Sequence, residues 1–217
     1  MKQLQQSKIQ NKEGVVLSVK KVGNKGRLLH VFTKDSGNIV VFTSESTIKK
    51  YGSGYLTPYA LLRITVMIKD ELFIMTQYEG QLLFNMLQCS YKEVNNWYFV
   101  SALMKILFAP LDSDLLAWQI ILQGAFSARI HNKSVCALIT SLQLLTVSGF
   151  NPLEQEPLSN YSISKEAYVL LQSLQKHQWG EHFYGVIGKS AYKEVVIYIN
   201  DFIESYCDLH MKVTFEV

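Results

Sequence analysis

Apolar and polar positions alternate over the first part of the chain and then change period. Residues 14–22 carry Val15, Leu17 and Val19 on one face. After Gly23-Asn24-Lys25-Gly26, residues 27–34 form a second such run, and Lys34-Asp35-Ser36-Gly37 turns the chain into a third at 38–43. Residues 61–69 alternate cleanly, with Leu62, Ile64, Val66 and Ile68 opposite Arg63, Thr65, Met67 and Lys69. Lys69-Asp70-Glu71 then turns into residues 72–78. Period-2 alternation marks half-buried strands, and Gly, Asn and Asp mark the turns between them. The pattern predicts five strands, with a longer connection at 44–59. Five strands of this length match a small OB-type barrel.

Beyond Glu79-Gly80 the spacing becomes helical. It predicts a short apolar helix at 82–88, a second at 95–108 stopped by Pro110, and a third at 115–130 capped by Asp112 or Ser113. A fourth follows at 134–148, ended by Gly149, and residues 151–162, with Pro152 and Pro157, form a loop. Ser164 and Ser190 open two more helices, reaching about Lys176 and His210, with a glycine-interrupted connector between them. The fold class expected is β plus α in two domains: an OB-type barrel over residues 1–80 and an all-helical bundle over 81–217.

Composition narrows the class. The chain has 217 residues, 48% of them apolar and 18% charged, which excludes intrinsic disorder. The uncharged stretch 134–153 is interrupted by Ser134, Thr140, Ser141, Gln143 and Asn151 and repeats at helical spacing, so it reads as a half-buried helix rather than a membrane span. The opening residues lack the apolar core of a signal peptide. Cys89, Cys136 and Cys207 form an odd, scattered set, which points to core thiols in a reducing compartment; a cytoplasmic protein is expected.

Charge is unevenly placed. Residues 1–82 hold 12 Lys and Arg against 6 Asp and Glu; residues 83–217 hold 9 against 12. A basic half beside an acidic one suggests that the basic half meets a polyanion. No motif for an activated serine, a phosphate loop or a zinc protease is present, and no enzyme is expected. His177 and His182, near Glu181, are five apart around Gly180, which does not suit helical metal ligation; no metal is expected. Glu154 and Glu156 read as solvated loop carboxylates. Single-strand binding needs cations for phosphates and flat rings for bases. The first half offers Lys20, Lys21, Lys25 and Arg27 around the first turn, Lys34 after the second strand, and a flexible glycine-containing loop with Lys49, Lys50, Tyr51 and Tyr55.

The ordered set of motifs resembles the RecO family of bacterial recombination mediators. Glu13-Gly14-Val15-Val16-Leu17 resembles the family's opening strand, and Arg27-Leu28-Leu29-His30-Val31-Phe32-Thr33-Lys34-Asp35-Ser36-Gly37 its RLL-x-x-FT-x-x-x-G signature. Thr76-Gln77-Tyr78-Glu79 resembles the TQAE barrel ending, and 142–152, LQLLTVSGFNP, the LxLLxxxGFxP helix end. The resemblance implies an OB barrel followed by a helical domain, located in the cytoplasm with the nucleoid. It implies binding of single- and double-stranded DNA, annealing of complementary strands and, with RecR, assistance to RecA loading on strands coated by single-strand-binding protein. The family's four-cysteine zinc insertion is absent, its basic stretch is thinned to Ser44-Glu45-Ser46-Thr47-Ile48-Lys49-Lys50, and Arg129 and Lys133 are the cations nearest its binding region for the tail of single-strand-binding protein. The alternative is a non-enzymatic protein scaffold that kept the fold and binds DNA weakly.

Overall fold

A computed structural model describes residues 8–69, 71–154, 159, 161, 163–181 and 187–217. Asp70, Glu156, Pro157, Ser162 and His182, singled out in the sequence, lie outside the described residues. The fold is β plus α: five strands in one mixed sheet, followed by mostly helical chain. Two compact units divide it, one of residues 1–86 with 108–118, the other of 87–107 with 119–217.

In the first unit, β1 (Lys8–Val22), β2 (Gly26–Thr33), β3 (Gly37–Ser44), β4 (Ala60–Lys69) and β5 (Leu72–Leu82) pair in a closed ring of order β1-β2-β3-β5-β4. All pairings are antiparallel except β3 with β5, which is parallel. The long first strand makes closure possible: residues 8–15 pair with β4, whereas 14–22 pair with β2. The register shifts between Val16 and Ser18, a bulge that bends the strand where it changes partner. Gly14 sits at this crossing, where a Cβ would lie 2.4 Å from Val31 Cγ1. Val16, Leu29, Val31, Ile39, Val41, Leu62, Ile64, Val66 and Met75 alternate inward and form the core.

The expected flexible connection at 44–59 begins instead with a helix, α1 (Glu45–Tyr51). Ser44 caps it by accepting from Thr47 N–H, and Gly52, at φ 85°, ends it by donating to Ile48 O. Its buried Ile48 joins the sheet core together with Leu56. The apolar run at 82–88 suggests a helix, but Leu82 completes β5 and only a 3₁₀ turn, Met86–Gln88, follows. The sequence boundary at residue 80 therefore falls inside the last strand. Residues 108–118 also belong to the first unit: Asn38 Nδ2 donates to Phe108 O at 2.7 Å, and Phe32 packs edge-on against Phe108.

Among the described residues the further helices are α2 (Tyr91–Leu107), α3 (Leu115–Ser127), α4 (Lys133–Val147), α5 (Lys165–Gln175) and α6 (Lys189–Asp201), the last continuing into a π-helical turn, Phe202–Tyr206. Asp114, not Asp112 or Ser113, caps α3 by accepting from Ala117 N–H at 2.8 Å. Ser164 caps α5 as expected. Ser190 does not cap α6; Gly188 stands there and brings no side-chain acceptor. In the second unit α4 is buried along most of its length, and Thr140 and Ser141 satisfy their hydroxyls on carbonyls one turn back. No described helix is long and apolar enough to cross a membrane.

Candidate nucleic-acid interface

Lys20 and Lys21 end β1, Lys25 lies in the turn and Arg27 opens β2, where it pairs with Lys21. Lys25 O accepts from Glu45 N–H at 3.0 Å, so the start of α1 is tied to this hairpin turn. Arg27 Nη1 donates to Leu56 O at 3.3 Å, which ties the segment after α1 to the same place. Lys49 and Lys50 occupy the exposed last turn of α1, where a cation complements the helix dipole. The hairpin, α1 and the segment bearing Tyr55 thus share one end of the sheet. Lys20, Lys21, Lys25, Lys49 and Lys50 are exposed there, and among the described residues none of them is in an ion pair.

The two tyrosines differ. Tyr51 packs against Tyr78 with ring centroids 5.5 Å apart and joins the edge of the core; Lys50 Nζ lies 5.1 Å from its centroid. Tyr78 donates its hydroxyl hydrogen to Gly52 O, fixing the end of α1, and burial pushes its pKa up. Tyr55 is 43% exposed. Of the two rings, Tyr55 is the open one; Tyr51 is committed to structure. Lys34 stands apart from the hairpin cations, at the far end of β2 from Arg27, roughly 23 Å along the strand at about 3.3 Å per residue.

Sequence reading missed a second set of cations. Lys12 is inward-facing in phase with Val16, 7% exposed, and its ammonium donates to Asp35 Oδ2 at 3.2 Å and Ser36 Oγ at 2.6 Å. Arg63 lies between Glu13 of β1 and Glu79 of β5 in the cross-strand register, at 3.1 and 3.6 Å, and these carboxylates hold its pKa up. A groove of about 720 Å³ runs past Lys12, Lys34, Tyr51, Arg63, Tyr78 and Glu79. The signal for this set was present in the alternation: Lys12 occupies an inward position, and Glu13, Arg63 and Glu79 all occupy outward ones.

In the second unit, Arg129 follows α3 with its guanidinium 5.5 Å from the Phe126 centroid, and Lys133 opens α4. Cys136 and Cys207 are buried thiols whose pKa burial pushes up to about 12; Cys89 is half-buried and shifted the same way. Thiols held protonated at neutral pH are poor nucleophiles and ligands. Burial holds the pKa of His177 down, with Glu181 opposing the shift. The exposed hairpin end offers cations that have no ion pair among the described residues and one open ring, an arrangement suited to holding phosphates. No protein-family profile matches this chain, and no curated protein matches it.

Proposed function

We propose that the chain is a RecO-like recombination mediator whose sheet acts as an OB-type barrel for single-stranded DNA. The observation that carries the reading is the hairpin end: Lys20, Lys21, Lys25, Lys49 and Lys50 are exposed and, among the described residues, without ion pairs, around a five-stranded ring of order β1-β2-β3-β5-β4. In barrels of this kind the loop between strands 1 and 2 is one of the customary oligonucleotide contacts. Arg27 keeps this loop and the segment before β4 together, and Tyr55 is the ring available to a base. Lysines are point charges without the rigid fork that reads base edges, so recognition is of phosphates and largely indifferent to sequence. Duplex binding, strand annealing, and work with RecR, single-strand-binding protein and RecA in the cytoplasm and nucleoid are proposed on the motif resemblance. Arg129 and Lys133 are the proposed contacts for single-strand-binding protein, and no catalysis or cofactor is invoked.

Binding of a labelled single strand at increasing salt tests this. With about four to five phosphates neutralised, log affinity falls against log salt with a slope near −3, at about −0.7 per contact. A flat salt response, or no binding at low salt, would overturn the reading. The protein-scaffold alternative is favoured by one feature, the complete pairing of Lys12 and Arg63 with acids, which removes two cations from any DNA path. It leads if Lys49→Ala combined with Lys50→Ala leaves binding untouched.

A further inference from the structure

Residues 211–217 form neither helix nor strand, yet the second unit holds them in a slot between α2 and α6. The slot is built from side-chain amides. Asn200 of α6 donates through Nδ2 to Phe215 O at 2.9 Å and accepts through Oδ1 from Phe215 N–H at 2.9 Å. Asn96 of α2 does the same for the next residue, donating to Glu216 O at 3.1 Å and accepting from Glu216 N–H at 2.7 Å. Neighbouring Asn95 donates to Thr214 O at 2.8 Å. Asn96 and Asn200 each exchange both bonds with one residue, as a strand residue does with its hydrogen-bonded partner. Consecutive residues turn to opposite sides, as in an extended chain.

One side chain anchors the segment. Phe215 is buried and meets Phe99 of α2 edge-on, with ring centroids 5.4 Å apart, whereas Thr214 and Val217 are exposed. The slot therefore reads the main chain of residues 214–216 and one aromatic ring. Extended peptides are recognised by the same division: backbone bonds supply affinity and a pocket supplies specificity. Asn96 is fully buried, so an empty slot would leave a buried amide without these two partners, a costly state. The slot needs an occupant, but nothing in these contacts requires the occupant to belong to the same molecule. The attachment is slight: Asp208 takes a left-handed φ of 53°, His210 and Lys212 are exposed, and no helix or strand follows Tyr206.

We propose that this slot is a peptide-recognition site that a second copy of the chain fills with the same segment, so that two copies pair by exchanging residues 211–217. A second copy is the fitting occupant because it carries the sequence whose backbone bonds and ring contact are already seen in the slot. Closed and exchanged forms contain the same contacts, so concentration is set against the tether. A short tether gives the resident segment an effective concentration on the order of millimolar. Exchange takes over where copies are crowded or where the resident segment is weakened. The inference rests on the second unit alone and does not depend on the DNA-binding reading of the first.

Two variants of the whole 217-residue chain separate slot from segment. Phe215→Ala keeps the slot and removes the anchor. Asn95→Ala combined with Asn200→Ala, both half-buried positions, removes three of the five bonds from the slot and keeps the anchor. Mixed in equal amounts at micromolar concentration, the two are expected to give a heterodimer in excess of either homodimer by native mass spectrometry, because the intact segment of one copy fills the intact slot of the other. A synthetic peptide of residues 211–217 binds the Phe215→Ala chain, shifts amides of α2 and α6 in its ¹⁵N spectrum and dissociates the heterodimer. It binds the wild type at least about tenfold more weakly, because the resident segment competes. The same peptide carrying Phe215→Ala, or N-methylated at the Phe215 amide, loses at least about tenfold in affinity. Thermal melts verify folding, and Phe215→Leu, which keeps apolar bulk, stands in if Phe215→Ala does not fold. A folded pair that gives no excess of heterodimer would overturn the exchange. Binding indifferent to N-methylation, or shifts confined to other elements, would overturn the slot.

Discussion

Lys12 and Lys20 lie on the same strand, yet they meet opposite fates. Lys12 points inward, is nearly buried, and is bonded to Asp35 and Ser36. Lys20 points out at the hairpin end, among other exposed lysines with no described ion pair. Arg63 sides with Lys12: Glu13 and Glu79 flank it in register. The sheet thus has two cations already neutralised, Lys12 on its inner face and Arg63 on its outer one, and an unneutralised end whose lysines have no ion pair among the described residues. Net charge does not reveal this division, since every lysine counts equally in a sum. Partner and phase reveal it.

The largest expected effect breaks the scaffold that holds the unneutralised end. Gly26 has φ 148° and a Cβ there would stand 2.0 Å from Thr43 O. Gly26→Ala forces β2 from β3 and is expected to cost about 3 kcal/mol, read as a shift in the urea midpoint. Gly23, in the same turn, has φ 51° with nothing within 4 Å of the added Cβ. Gly23→Ala is expected to cost only about 1 kcal/mol, from the backbone conformation alone. Equal costs would mean that the close approach at Gly26 does not constrain the hairpin.

Next in size is the buried pair. Asp35→Ala takes the counterion from a lysine whose side chain is 4% exposed, and about 2 kcal/mol of stability goes with it. Ser36 still accepts from Lys12, which limits the loss. Adding Lys12→Met restores most of the stability, because the buried charge is gone. Lys20→Ala stays within about 0.5 kcal/mol. A double-mutant cycle on Lys12 and Asp35 reads the coupling directly; a coupling near zero would place Lys12 with the free cations after all.

Much of this was legible in the chain. The alternation at Leu62, Ile64 and Val66 located β4, and the Ser164 cap was where the sequence placed it. What was missed has specific causes. The residues Ser44 to Tyr51 looked like a loop because only Ile48 is fully buried on α1, too little apolar surface to show a helical period in seven residues. The run after Leu82 looked helical because apolar residues end β5 and then pack without regular structure. Gly188 outcompeted Ser190 as the start of α6, so the cap rule picked a serine already inside the first turn. At the candidate interface the hairpin cations were named from sequence. Their separation from Lys34, and the commitment of Tyr51 to Tyr78, depend on strand length and ring packing that composition does not encode.

The two tyrosines sharpen the comparison on the aromatic side. Tyr51→Ala removes a ring from the Tyr78 contact and the core edge, and is expected to cost about 2 kcal/mol of stability. Tyr55→Ala leaves stability within about 0.5 kcal/mol and lowers single-strand affinity by about 1–3 kcal/mol if a base stacks on it. Chemical unfolding and strand binding on the same two variants separate the roles. If Tyr55→Ala costs stability and Tyr51→Ala costs only affinity, the assignment of open and committed rings is reversed.

The smallest effect at ordinary salt is also the most direct test of the division between free and neutralised cations. Lys49→Ala with Lys50→Ala removes two exposed charges from the last turn of α1. Each phosphate contact contributes about −0.7 to the slope of log affinity on log salt, so the slope becomes shallower by roughly one unit and all sequences weaken alike. The loss is greatest at low salt and shrinks as salt rises, because the wild type's own advantage is released counterions. Arg63→Ala is the control: its guanidinium is already neutralised by Glu13 and Glu79, so its removal leaves the slope where it was. Stability barely changes in that variant too, because Arg63 is exposed and pairs of this kind contribute little in water. A slope that responds to Arg63 and not to Lys49 and Lys50 would move the DNA path from the hairpin end to the groove past Lys12, Lys34 and Arg63. An unchanged slope in both would leave no phosphate contact at either place, and the protein-scaffold reading would then take precedence.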